Sequence, residues 1–328
     1  MRLTRISVVR NIKVPHSSNL MLRYIFWRVL AILPLALIIS FIAFILLELA
    51  PSDPAEVALR INEIVPTPEA IEGMRHELGL DKPFFTRYFL WLIAGLQLDF
   101  GTSFLTRTPV IQEMLRALPP TLWLASTALF FTIILTLPLA LWCVAKPQSF
   151  TDKCIRFIVF VLTAIPNYWL GLLLIWGVAV YLDWLPVSGM LSPESVILPA
   201  LALSLGYIGT YLRLLRGAML NQWHQPYVFY AKARGLPDNL ILRRHILRNS
   251  LYSSLTALGM SIPKLIAGTV VIENIFAWPG IGRLCISAIF GRDYPMIQAY
   301  ILLMSLLFLF FNFLMDVIQM MADPRLRR

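Results

Sequence analysis

Long apolar runs with short polar interruptions dominate this chain. Six of them predict membrane-crossing helices: about Ile25–Leu49, Thr121–Ala145, Phe157–Leu182, Ile197–Leu215, Leu251–Ile272 and Ile297–Met320. Each comes close to or exceeds the roughly 20 apolar residues that span the hydrocarbon core as a helix. Pro34, Pro138, Pro166 and Pro263 lie inside these runs and predict kinks, which bundled neighbours tolerate. The stretch 51–119 reads differently. "TPEAIEGMRHELGL" has early acids, apolar residues at helical spacing and a glycine near its end, the pattern of a short amphipathic helix. "PFFTRYFLWLIAGLQLDFG" is aromatic-rich, and its short apolar length and Arg87 predict a helix lying at the interface rather than a crossing. No alternating strand pattern is found, so the predicted class is an all-α polytopic membrane protein with six transmembrane helices.

Composition agrees: 58% of the 328 residues are hydrophobic and 14% charged, against about 25% charged in soluble chains. The net charge of +10 gains meaning from its distribution. Seven Lys and Arg fall in 213–248 and three in 146–156, with none in 183–196, while 51–119 carries nine acids against six basic residues. The positive-inside bias then predicts cytoplasmic N and C termini. It makes 51–119 an extracytoplasmic insertion, 1–24 a cytoplasmic extension and 216–250 a cytoplasmic loop within a transmembrane domain spanning 25–328. Basic residues so placed report topology and do not call for a nucleic-acid partner. The lead before the first run, with Arg2, Arg5, Arg10, Lys13 and Arg23, is too long for a cleavable signal and predicts a retained signal-anchor helix.

Catalytic patterns do not emerge. The sequence has no G-x-x-x-x-G-K-[ST], no G-x-S-x-G and no HExxH, and no carboxylates are paired inside the spans. Cys143, Cys154 and Cys285 form no CxxC and read as reduced structural thiols. No resident metal or cofactor is expected in this chain. Ionisable residues within spans are costly, and each is a functional candidate. Lys264 should lie midway along the fifth span, pairing with an acid or facing a water-filled path where it favours an anionic cargo. Asp316 falls near the inner end of the sixth, as a path residue or as the partner of a loop arginine. Glu48 and Glu273 fall near outer ends, where interfacial snorkelling or helix capping competes with a place on the path.

The loop "YAKARGLPDNLILRRHILRN" is the most basic segment. Gln225–Arg234 predicts a short helix closed by Gly235, with Pro237 starting the next. Ala231 and Gly235 form a small-residue ledge; Leu240, Leu242, Ile246 and Leu247 share one half of the second helix, and Arg243 and Ile241 break that pattern. Such a helix suits either anionic lipid headgroups or a groove on a cytoplasmic partner.

This loop resembles the cytoplasmic signature of bacterial ABC-importer permeases, E-A-A, three residues, then Gly. Phe229 and Tyr230 stand at the first two positions, while Ala231 and Gly235 match. "LGLDKPF", "LDFGTSF", "PPTLWL", "AIPNYWLG", "LRLLRGAML", "VVIENIFAWPGIGRL" and "RDYPMIQAYIL", in order, resemble the dipeptide/oligopeptide/nickel branch, and the resemblance covers nearly all of 22–328. It implies an ABC-importer permease fold in the bacterial inner membrane. The implied partners are a second permease, two cytoplasmic ATPases that supply hydrolysis, and an extracytoplasmic binding protein. It implies further that Ala231, Gly235 and Leu236 mark a coupling helix and turn, with Arg234 and Arg243 touching the ATPase. Lys264, Asn167, Glu273 and Asp316 are the candidates for the translocation path. "ENIFAWPG" and "AIPNYWLG" resemble nickel and metal-chelate permeases, and the lack of His/Cys ligand clusters favours a chelated metal over a bare ion. A dipeptide or oligopeptide importer is the alternative. An ion-coupled secondary transporter should show repeated halves with matching broken helices, and neither is present in the sequence.

Overall fold

The computed structural model describes residues 17–49, 52–259 and 261–322, and their regular structure is helical apart from one isolated bridge, Thr102 to Pro109. Arg2, Arg5, Arg10 and Lys13, in the lead before the first apolar run, lie outside these residues. In chain order the helices are α1 (Ser17–Glu48), α2 (Pro54–Ile61), α3 (Pro68–Glu77), α4 (Phe84–Leu96), α5 (Val110–Ala145), α6 (Phe150–Ala164), α7 (Asn167–Leu174), α8 (Ile197–Trp223), α9 (Pro226–Ala233), α10 (Asp238–Leu240), α11 (Leu247–Gly259), α12 (Ile262–Ile275), α13 (Ile281–Phe290) and α14 (Tyr294–Ala322). π-helical turns continue α7 (Ile175–Tyr181) and α10 (Ile241–Ile246).

Among the described residues, four stretches are long and apolar enough to cross a membrane: Phe26–Glu48, Val110–Ala145, Pro193–Trp223 and Tyr294–Ile318. A fifth arises if α6 and Asn167–Tyr181, which meet at 102°, form one crossing. Two of the six predicted spans, both expected to kink at proline, are thus divided into separate helices. Where one was predicted over Phe157–Leu182, the chain bends at Ile165–Pro166. Ile165 is extended (φ −79°, ψ 130°), the conformation that a following proline imposes on its neighbour. The run predicted at Leu251–Ile272 is likewise divided into α11 and α12, with Pro263 in the first turn of α12, where its missing N–H costs nothing.

Helix α5 begins at Val110, well before the predicted Thr121, and continues through Pro119 and Pro120. At about 1.5 Å per residue it extends about 54 Å, so its first turns belong to what composition marked as the outer insertion. Within that insertion the predicted amphipathic helix is α3. Thr67 caps it by accepting from Ala70 N at 3.2 Å, and Gly79 ends it at φ +67°. Asp53 caps α2 and binds the Arg75 guanidinium of α3 at 2.7 and 3.0 Å, a bond and a charge that raise the pKa of Arg75 above its ordinary value. Helix α4 has 13 residues, about 20 Å and too short to cross. It packs on α1 through Tyr88, Phe84 and Trp91 against Phe41 and Phe44. Arg87 pairs with Glu48, the acid expected to snorkel or cap, and Tyr88 Oη lies 2.9 Å from Ser40 Oγ.

The core runs along α5 and α8. One cluster joins Leu124, Ala128, Leu203, Leu265, Ile272 and Phe276; another joins Ala140, Val144, Val159, Leu212 and Met219 to Val228, Ala231 and Ile241 of the basic loop. The loop is thus anchored to the helical bundle by buried apolar side chains rather than suspended from it.

Candidate functional site

The basic loop is built as predicted at its first corner. After α9, Gly235 takes φ +77°, its N–H donates to Lys232 O at 2.8 Å and Leu236 N to Ala231 O at 3.2 Å, a left-handed helix ending that glycine permits at little cost. Lys232 Nζ bridges to Asp238 at 3.1 Å and stands 4.9 Å from the Trp223 ring centroid, tying the corner to the end of α8. Ala231 packs inward with Val228, so the Ala231–Gly235 ledge is not one outward surface. What α9 presents outward is Phe229 (71% exposed), Tyr230 (67%) and Arg234. Past the corner, Ile241, Leu242 and Ile246 are buried while Arg243 and Arg244 are exposed. A π turn inserts extra residues into the helical repeat, and this brings Ile241, which broke the regular pattern, onto the inward face.

The four path candidates occupy four different settings. Lys264 sits in the first turn of α12, beside the division from α11 rather than midway along a helix. Its side chain is exposed and makes no ion pair among the described residues, while its carbonyl accepts from Tyr207 Oη at 3.1 Å. Asp316 pairs with Arg28 of α1 at 2.5 Å, a partner within the first span rather than in a loop. Asn167 opens α7 just past the bend and rests on Gly206 of α8, while Thr163, before the bend, rests on Gly209; a methyl group on either glycine would collide with the side chain seated there. Glu273 faces no open surface of this chain.

Instead, Glu273 forms a fully buried junction. Its carboxylate accepts from Thr121 Oγ1 (2.7 Å), Gly282 N (2.7 Å) and Arg283 N (3.1 Å), and Thr121 Oγ1 accepts in turn from Ile281 N (2.8 Å). The N-terminus of α13 is thereby capped by an acid from α12, with favourable sign for the helix dipole. Trp278 Nε1 donates to Pro120 O at 2.9 Å, a carbonyl on the proline-containing part of α5. Gly282 is required here: a Cβ would lie 2.5 Å from Val270 Cα, which cannot step aside as a side chain could.

Two further acids were not singled out by sequence. Asp293, 1% exposed, accepts from Ser103 Oγ, from Phe104 N at 3.1 Å and from Leu105 N at 3.4 Å, fastening the loop before α5 to the start of α14. Ser103 and Asp293 lie in "LDFGTSF" and "RDYPMIQAYIL", but nothing in one sequence pairs residues 190 apart. Asp152 is 0% exposed and binds Arg216 of α8 through Nε (3.1 Å) and Nη2 (2.8 Å), with Arg156 Nε at 3.3 Å. The available signal was an acid within a basic inner segment, one helical turn before an arginine.

A bundle of long apolar helices, with an exposed basic helix–turn anchored at one end, has the make-up of a polytopic membrane protein. The chain matches the family model "Binding-protein-dependent transport system inner membrane component" over residues 133–328 and the corresponding N-terminal model over 21–125, and it belongs to that family. It is the permease subunit of an ABC importer, a multi-pass inner-membrane component that is not itself catalytic. It is 38% identical to the metal-staphylopine import system permease protein CntB of Staphylococcus aureus, over 94% of this chain and 99% of that one. The oligopeptide transport system permease AppB of Bacillus subtilis is 34% identical (93% and 99%), and the glutathione transport system permease GsiC of Escherichia coli K12 is 32% identical (94% and 99%). The inward-facing MetNI methionine ABC transporter shares the fold at TM-score 0.55 and 18% identity, over 65% of this chain and 97% of that one.

Proposed function

We propose that this permease imports nickel or a metal–metallophore complex. The observation that carries the proposal is the 38% identity to the metal-staphylopine permease across 94% of the chain, above the 34% and 32% to the oligopeptide and glutathione permeases. Lys264 supports it. An exposed ammonium in the first turn of α12 opposes the helix dipole, and both act on an anionic group placed there. A chelated metal that presents carboxylates supplies one. A dipeptide or oligopeptide cargo is the second reading, favoured by the similarity to AppB over 93% of the chain.

In the assembly we propose, α6–α7 and α11–α12 each count as one crossing, giving six with both termini cytoplasmic. A second permease completes the path, a binding protein delivers cargo outside, and two ATPases dock inside. Phe229, Tyr230, Arg234 and Arg243 form the docking face, with Gly235 fixing its angle. Uptake of radiolabelled nickel, alone and with metallophore, in a strain lacking other routes tests the cargo. Loss of that uptake on deletion of this chain supports the proposal, and normal uptake with failed peptide import transfers it to the second reading. Lys264→Met should lower uptake of the anionic chelate; unchanged uptake of every cargo removes Lys264 from the path.

A further inference from the structure

A cavity of about 570 Å³ opens between α6 and α8. Arg156, Arg213 and Arg216 line it, and Gly209 and Gly217 lower the α8 wall. The acid paired with these arginines is Asp152, so one negative charge is set against three positive ones and two positive charges are left over. Arg213 is exposed and makes no ion pair or side-chain hydrogen bond among the described residues. It lies three residues before Arg216, on the same helical face. Asp152 engages only Nε and Nη2 of Arg216, so that guanidinium keeps further donors. Apolar side chains line the same cavity: Val159 and Phe160 on α6 and Leu212 on α8, with Phe160 70% exposed.

An excess of guanidinium groups in a recess bordered by exposed aromatic and aliphatic surface complements an amphiphile with an anionic head. Guanidinium forks match phosphate oxygens in geometry as well as in charge. The recess lies at the end of the bundle that carries the basic loop, the inner end in the orientation proposed above, where basic pockets between helices meet anionic headgroups. We propose that this cavity binds the phosphate of an anionic phospholipid of the inner leaflet, with Arg213 and Arg156 holding the head and Phe160 lying against the chains. The site is separate from the exposed face of α9. A lipid seated there braces α6 against α8 beside the segment that leads into the loop.

The test uses the assembled transporter, purified with its partner subunits and examined by native mass spectrometry after exchange into phosphatidylglycerol or phosphatidylcholine. Phosphatidylglycerol should be retained by the native protein, and Arg213→Gln should weaken that retention about fivefold, the effect of one basic contact worth about 1 kcal/mol at an anionic surface. Arg213→Lys should keep most of it. Gly217→Leu, which fills open space at the cavity wall without altering charge, should also expel the lipid. Phosphatidylcholine retention should not change in any variant, and millimolar inorganic phosphate should not displace phosphatidylglycerol. Equal retention in Arg213→Gln and native protein overturns the proposal, as does displacement by inorganic phosphate, which would assign the cavity to a soluble anion. Loss of cargo uptake in Arg213→Gln with lipid retention intact also overturns it and assigns the cavity to the transport path. Because Arg213 has no protein partner among the described residues, its replacement should leave thermal unfolding unchanged in phosphatidylcholine, whereas in phosphatidylglycerol the native protein should unfold at the higher temperature. Orientation is read independently, from labelling of an Ala233→Cys variant by a membrane-impermeant thiol reagent.

Discussion

Asp152 and Glu273 are both fully buried carboxylates, and the protein surrounds them differently. Asp152 is met by two guanidinium groups, one on its own helix and one on α8, beside a single backbone N–H, that of Gln148 at 3.0 Å. Glu273 is met by a hydroxyl and two backbone N–H groups, all uncharged, at the start of α13. Directional neutral donors fix position tightly and project little field beyond the junction. Charged partners compensate the acid with less dependence on angle, and any surplus is felt by whatever lies alongside. The Glu273 junction accordingly locks α5, α12 and α13 together, while the Asp152 cluster joins α6 to α8 and leaves a positive recess open between them.

The contrast can be broken most severely at Glu273. Glu273→Ala removes the acceptor shared by Thr121 Oγ1, Gly282 N and Arg283 N and should lower stability by on the order of 3 kcal/mol, with loss of transport; thermal unfolding of the purified complex measures it. Asp152→Asn should cost about 2 kcal/mol, less than breaking a fully enclosed pair, because Arg216 and Arg156 remain 15% and 42% exposed and regain some hydration. A double variant with Arg216→Gln should recover part of that loss. Thr121→Val removes one bond to Glu273 and the acceptor for Ile281 N, for a loss of about 1 kcal/mol. The smallest effect sharpens the comparison furthest. Raising salt from about 0.1 to 1 M shortens the screening length from about 10 to 3 Å. It should narrow the gap between Asp152→Asn and the native protein by easing repulsion among the arginines, and leave the Glu273→Ala gap unchanged. Equal salt responses would mean that the two junctions are not electrostatically distinct.

Much of the architecture was legible because its causes are local. Thr67 and Gly79 bound α3, Gly235 and Pro237 turn the basic loop, and the aromatic density of Phe84–Trp91 marked a helix too short to cross. The bend at Pro166 was foreseen as a kink, but its 102° angle depends on what α8 offers on the far side. Glu273 and Asp316 drew attention as costly charges within apolar runs. Whether such a charge faces a path or a partner depends on Thr121, Gly282 and Arg28, up to 288 positions away in the chain. Family resemblance reached the importer class through motifs spread along the sequence, yet it did not pair Ser103 with Asp293 or gather Arg156, Arg213 and Arg216 around one recess.

The seating of the bend on α8 limits how the bundle can move. Thr163 and Asn167 stand on either side of the 102° corner like two teeth, and Gly206 and Gly209 are the notches that receive them. Close-packed surfaces of this kind do not deform continuously. To slide along α8, the α6–α7 corner must lift both teeth together and re-engage at another register. Travel of the corner would then be indexed rather than graded, and a methyl group in either notch would unseat the tooth that rests there.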